Sequence, residues 1–228
     1  MLPRIGITTS LNGGEQRLDR RYVQAVEQAG GLPLIVPMLD TDAAAEAFAA
    51  LLDGLVVTGG PAVTDGLVGA LPPDLDATDP VRLASDRRIF RPFLERRRPV
   101  LGICYGMQLG NALLGGTIYG DVEAERPGTG VHSQKRGGTE HAVRVAEGTH
   151  LRRLLGTDRL TVNTRHLQAV AAPGAGLRVA ALAPDGVIEA LESDDGRFIG
   201  VQFHPERMGA AAAPLFRHLV ETARRAAA

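Results

Sequence analysis

Cys104 is the only cysteine of the 228-residue chain, and it lies in the stretch Pro99-Val100-Leu101-Gly102-Ile103-Cys104-Tyr105-Gly106-Met107-Gln108. An apolar run of strand type leads into it, and a helical pattern begins just beyond it. Gly102 and Gly106 stand two positions to either side. Small neighbours allow a tight strand-to-helix turn that pushes the middle side chain out at the C-terminal edge of the strand, as in the Gly-x-Ser-x-Gly elbow of hydrolases. The partial positive charge and free N–H groups of a helix N-terminus favour thiolate over thiol. Open α/β sheets bind their ligands at that same edge. The alternative for a lone cysteine is a small buried core residue.

A nucleophilic thiol needs a base, and the base needs a group that fixes its tautomer. Gly200-Val201-Gln202-Phe203-His204-Pro205-Glu206 offers both. His204 closes a buried strand, so parallel strands would bring it to the edge that carries Cys104. Pro205 fixes the backbone and turns Glu206 back towards the imidazole. The alternatives are a strand-end histidine satisfied by backbone and a solvated loop acid. Tetrahedral intermediates also require N–H donors aimed at the developing oxyanion. The Tyr105 amide, next after the thiol, is one candidate. Gly60, in Val57-Thr58-Gly59-Gly60-Pro61 after another buried run, is the second, since glycine permits close backbone approach.

The remaining sequence must place these groups. Arg4–Ser10, Leu32–Val36, Gly54–Thr58, Pro99–Ile103 and Phe198–Phe203 read as strands, the last four of them buried. A polar loop, Leu11–Gln16, follows the first. Helical spacing covers Leu18–Ala29, Thr41–Leu52, Asp79–Arg98, Tyr105–Leu114 and Ala210–Arg225, with Pro92 expected to kink or divide the third helix. The C-terminal Glu221–Ala228 reads as a fraying helix end. Apolar runs alternating with helices indicate a mostly parallel sheet covered on both faces. Pro61–Thr78 is a long Pro/Gly/Asp-rich loop and a candidate site wall. Beyond Ile118 the pattern shifts to shorter strands at His141–Val145, Leu160–Val162, Leu177–Leu182 and Val187–Glu192, the last two joined by a Pro184-Asp185-Gly186 turn as a hairpin. His132, His141 and His150 lack ligand spacing and read as surface or loop residues. Arg126, Lys135 and Arg136 form a loose basic stretch that could meet a substrate carboxylate or simply be solvated. The Arg96-Arg97-Arg98 run reads as the exposed end of its helix.

Composition narrows the classes. The chain has 44% hydrophobic and 22% charged residues and a net charge of -1, an ordinary globular balance that favours neither nucleic acid nor an anionic membrane. No signal-like start or membrane span is present. The expectation is one cytoplasmic α/β domain over residues 1–228. A single thiol rules out an intrachain disulfide and a zinc site built from several thiolates.

Taken in order, Asp53–Gly60, Asp79–Asp86, Pro99–Asp121, Val162–Val170, Leu182–Glu192 and Gly200–Glu206 make the chain resemble the class I glutamine amidotransferase superfamily over nearly its whole length, closest to the γ-glutamyl-γ-aminobutyrate hydrolase (peptidase C26) branch. The resemblance implies a flavodoxin-like three-layer αβα sandwich with a small antiparallel extension. It implies a Cys104–His204–Glu206 triad, oxyanion donors Gly60 and Tyr105, a γ-glutamyl thioester, and no metal or organic cofactor. It also puts Gln108 in the γ-glutamyl pocket and Asn163, His166 and Gln168 near the substrate, with loop-stabilising hydrogen bonds as their alternative role. The chain departs from the branch at Tyr105, where arginine is frequent, and at Ala62, Leu83 and Leu167; these changes bear on the leaving-group pocket. The implied reaction is hydrolysis of a small γ-glutamyl amine. Alternatives are a glutaminase subunit feeding ammonia to a separate synthetase, and a γ-glutamyl transferase of specialised metabolism. The expected partner is a small molecule, with no nucleic acid or membrane; a homodimer is compatible with the sequence.

Overall fold

In the computed structural model, which describes residues 1–226, the elements follow the chain as β1 (Arg4–Ile7), β2 (Ser10–Asn12), β3 (Glu15–Arg17), α1 (Arg20–Gln28), β4 (Leu32–Ile35), α2 (Asp42–Ala50), β5 (Gly54–Val57), β6 (Leu67–Val68), α3 (Pro80–Glu95), β7 (Val100–Ile103) and α4 (Tyr105–Leu113). There follow β8 (Thr117–Tyr119), α5 (Val122–Glu125), β9 (Glu140–Val145), α6 (His150–Leu155), β10 (Arg159–Asn163), β11 (Ala169–Ala172), β12 (Leu177–Leu182), β13 (Ile188–Ser193), β14 (Phe198–Val201) and α7 (Ala213–Ala226). Residues 227 and 228, the tip of the expected fraying end, lie outside the described part.

The main sheet runs β10-β9-β12-β13-β14-β7-β5-β1-β4. Its β14-β7-β5-β1-β4 half is parallel throughout, and β13, β12, β9 and β10 extend it antiparallel. Within the parallel half, β14, β7, β5 and β1 are buried between two cores. Ile5, Ile7, Val56, Leu101 and Ile103 join Val26, Leu215 and Leu219 beneath α1 and α7. Leu55, Val57 and Val100 join Phe90, Phe93 and Met107 beneath α3 and α4. Each fully buried side chain of this size contributes about 1.5–3 kcal/mol. The helices start where local chemistry satisfies their free N–H groups: Asp19, Thr41 and Asp79 accept from the first turns of α1, α2 and α3. None of the helices among the described residues is long and apolar enough to cross a membrane.

Several details differ from expectation. Leu32–Val36 is the sheet edge rather than a buried strand, with Leu32 and Ile35 exposed. The polar stretch after β1 is a hairpin, β2 pairing β3 across Gly13 and Gly14, both at positive φ. Helix α3 runs unbroken through Pro92; the proline stands in its final turns, where only one intrahelical bond is lost. Of the Arg96-Arg97-Arg98 run, Arg98 is half-buried and donates to the Ala49 carbonyl, while Arg96 and Arg97 pair with Glu46 and Asp195.

Candidate active site

Three neighbouring strands deliver the candidate residues. β5 pairs with β7, and β7 with β14, all parallel and with Val201 opposite Ile103. Whatever follows their C-terminal ends therefore converges: Gly59 and Gly60 after β5, Cys104 after β7, and His204 and Glu206 after β14.

Cys104 has φ 52° and ψ −105°, a left-handed conformation that costs a non-glycine residue on the order of 1–3 kcal/mol. Its neighbours show why the turn needs glycine. A Cβ on Gly102 would lie 2.7 Å from the Gly106 carbonyl oxygen, and one on Gly106 would strike the Val57 carbonyl. The cysteine occupies the N-cap of α4, and its side chain makes no capping hydrogen bond. It is 7% exposed and opens on a cavity of about 340 Å³. The hydrogen bond to its sulfur comes from Gln202 Nε2 at 3.5 Å.

His204 Nδ1 and Glu206 Oε1 are 2.8 Å apart, which commits Nδ1–H to the carboxylate and leaves Nε2 free as the basic nitrogen. Burial alone would lower the His204 pKa; the Cys104 sulfur, and then Glu206, outweigh it and raise the pKa to about 9. Glu206 is buried, its second oxygen unpartnered. The ring packs on Gly59, where a Cβ would lie 2.6 Å from His204 Cε1, and the Tyr22 hydroxyl accepts from the Gly59 amide at 3.2 Å.

Among the described residues, neither the Gly60 nor the Tyr105 amide donates to another backbone group, so both are available to an incoming oxygen. The loop carrying Gly60 is braced by a feature that sequence reasoning missed. Arg82, 1% exposed, donates to the Gly59 carbonyl at 3.0 Å and to Asp86 at 3.1 Å, and lies over the Tyr105 ring with its guanidinium carbon 4.5 Å from the centroid. A Cβ on Gly60 would sit 2.5 Å from Arg82 Nη1. The Arg82/Asp86 spacing was a readable i,i+4 pair; that both would be buried was not.

Gly60, Cys104, Gln108, His166 and Gln168 line the cavity. Gln108 Nε2 donates to the Gln168 carbonyl and to Gln202 Oε1, each at 3.0 Å. Gln168 is spent on the loop beyond Gly60: its amide exchanges both hydrogen bonds with the Val63 backbone. Asn163 does not border the cavity. Its amide exchanges two hydrogen bonds with the His204 backbone, at 2.9 and 3.0 Å, which hold that turn in place. Lys135 and Arg165 also line the cavity. Arg136 is bound up with Asp74, Asp121 and Glu123, and Arg126 donates to the Asp185 carbonyl.

His132 lies in a loop, as expected, but is buried there, and His141 is a half-buried residue of β9 rather than a surface or loop residue. His132 is buried, and with His141 and His166 it surrounds the fully buried Glu189. Burial would raise the Glu189 pKa, but the three imidazoles hold it far below the ordinary carboxylate range. The side chains come from separate segments with no common period, so nothing in the sequence marked them. His150 opens α6, as a loop-proximal residue would.

Comparison with known proteins agrees with this architecture. The peptidase C26 family model matches residues 4–206. Protein NtpR of Enterococcus hirae is 33% identical over 221 residues, covering 90% of this chain and 92% of that protein. Gamma-glutamyl-gamma-aminobutyrate hydrolase PuuD of Escherichia coli is 33% identical over 219 residues, covering 90% and 85%. Among solved structures, the glutaminase domain of Trypanosoma brucei CTPS, with bound acivicin, superposes with a TM-score of 0.71 over 98% of this chain and 94% of that one; at 16% identity the likeness is one of fold. A flavodoxin-like α/β sheet with an elbow cysteine, matched by that family over almost its full length, places the chain in the peptidase C26 family of glutamine amidotransferase-like hydrolases.

Proposed function

We propose that the protein is a cysteine amidase that hydrolyses the γ-glutamyl amide bond of a small γ-glutamyl amine. Cys104 gives its thiol proton to His204 Nε2, its sulfur attacks the γ-carbonyl carbon, and the amides of Gly60 and Tyr105 receive the oxyanion. His204, oriented by Glu206, gives its Nε2 proton to the departing amine, leaving a γ-glutamyl thioester. The same nitrogen then takes a proton from water, whose oxygen attacks the thioester; glutamate leaves, and Nε2 returns the proton to the departing sulfur. The observation that carries this reading is the strained left-handed backbone of Cys104 at the mouth of a cavity, in a chain whose His204–Glu206 pair follows the neighbouring strand.

Lys135 and Arg165 favour an amine that bears a carboxylate. Both line the cavity, and neither forms an ion pair among the described residues. A panel of γ-glutamyl amines and glutamine, assayed for glutamate release with wild type and Cys104→Ala, tests the proposal. The expected result is release that is fastest for carboxylate-bearing amines and absent in Cys104→Ala. Folded wild type that releases no glutamate from any member would overturn it.

The glutaminase-subunit reading rests on Tyr105 after the thiol, as in synthetase-linked amidotransferases. It requires activity that arises only on mixing with a synthetase. Mass spectrometry with added acceptor amines separates transfer from hydrolysis.

A further inference from the structure

The histidine cluster around Glu189 has no part in the chemistry above, yet it is more completely built than a chance grouping of side chains. Glu189 Oε1 is approached by His141 Nε2 at 3.0 Å, His166 Nε2 at 3.4 Å and His132 Nδ1 at 3.5 Å. The outer nitrogens of two of these rings are already engaged. His132 Nε2 lies 2.9 Å from an Asp185 carboxylate oxygen, and His166 Nδ1 lies 2.9 Å from the Gln168 carbonyl oxygen. Neither acceptor carries a proton to give, so in the neutral rings the N–H must be on these outer nitrogens. The inner nitrogens, His132 Nδ1 and His166 Nε2, then turn lone pairs towards a carboxylate. Both inner nitrogens and Glu189 Oε2 are buried without a hydrogen-bond partner. Electron-rich atoms facing one another in a dry interior need a positive charge between them, either a metal ion or the proton of a charged ring.

We infer that this cluster is a binding site for one divalent transition metal of the zinc class, held by His132 Nδ1, His141 Nε2 and the Glu189 carboxylate, with His166 Nε2 facing the same point. The ligand atoms of His132, His141 and Glu189 all lie within 4.8 Å of one another. Zinc bonds of about 2.0–2.1 Å in a tetrahedron set ligand separations of about 3.4 Å, close to the 3.0, 3.4 and 3.5 Å contacts at Glu189. Imidazole-rich donors select zinc, cobalt or nickel over magnesium or calcium. Hydrogen bonds from the outer N–H groups to a carboxylate and a carbonyl are the usual support of metal-ligating histidines. A metal takes only unprotonated ring nitrogens, so affinity falls in acid. His132 immediately precedes Ser133, which with Lys135 and His166 borders the cavity. The metal would therefore pin one wall of the substrate cavity to β13.

The test uses the full chain, stripped with chelator and titrated with Zn²⁺ by calorimetry and with Co²⁺ by absorption. The site predicts one ion per chain, displaceable by chelator. It predicts visible cobalt bands without the near-ultraviolet thiolate charge-transfer band that Cys104 would give. Binding should survive Cys104→Ser. It should weaken about 10–100-fold in Asp185→Ala, which frees the His132 ring, and more in His141→Gln, whose side chain is partly exposed and whose loss the fold tolerates best. The cobalt spectrum of wild type needs no variant and stands even if these fail to fold. Absence of saturable binding at millimolar metal would mean a protonated histidine–carboxylate network only, and would overturn the inference. A thiolate band that disappears in Cys104→Ser would do the same, by placing the ion at the nucleophile.

Discussion

Proton linkage at His204 gives the sharpest prediction. Its pKa stands at about 9 in the folded chain against 6.5 for the free side chain. Between those values the native state holds a proton that the unfolded chain has lost, so unfolding free energy falls as pH rises. The contribution is fully present below pH 6.5 and is lost by the time pH passes about 9. The difference corresponds to about 3 kcal/mol, at roughly 1.4 kcal/mol for each pH unit. Its largest favourable cause is the Cys104 sulfur, followed by Glu206. Urea denaturation of wild type and His204→Asn at half-unit steps from pH 6 to 10 reads the effect as the difference between two curves. Carbon-13 NMR of the His204 ring reads the pKa directly. Cys104→Ala should lower that pKa and flatten the difference, and Glu206→Gln should do so to a smaller degree. A ring that titrates at or below 6.5, or wild-type and His204→Asn curves that stay parallel from pH 6.5 to 9, would refute the reasoning.

Other substitutions test the supporting structure. Arg82→Met strands Asp86 in the interior and should cost about 3–5 kcal/mol in chemical denaturation, whereas Arg82→Met with Asp86→Leu should recover most of the loss. Gly106→Ala drives a methyl group against the Val57 carbonyl; it should destabilise the fold by about 1–3 kcal/mol, and glutamate release should fall with it as α4 shifts. Asn163→Ala removes two hydrogen bonds from the His204 backbone. It should lower kcat about tenfold or more, with little change in KM, because it loosens the base without touching the cavity.

The parts of this molecule that were readable in the sequence share one property: their signal is local. Val100–Ile103, Gly54–Val57 and Phe198–Val201 are unbroken apolar runs, and each ends in residues whose types suit a sheet edge. That was enough to assemble Gly60, Cys104 and His204 before any coordinates. What escaped depends on distance through space. Asn163 has the composition of a substrate contact, and only the path of β10 shows that its amide faces the His204 backbone. His132, His141, His166 and Glu189 belong to four segments, and no periodicity links them. Ser10–Arg17 lacks the apolar alternation of a hairpin; its Gly-Gly turn was the usable sign. Leu32–Ile35 looked interior because an edge strand can be as apolar as a central one when composition alone is considered.

The order in which the chain is made acquires a meaning from the adjacency of β5, β7 and β14. Their pairing brings residue 60 beside residue 104, and residue 104 beside residue 204. During synthesis the thiol of residue 104 emerges long before the imidazole of residue 204, which on the proposed mechanism activates it. On that mechanism a nascent or truncated polypeptide carries an idle sulfur, and amide cleavage must wait for β14, the last strand among the described residues, to dock. Activity that needs both residues would then double as a report that folding has finished.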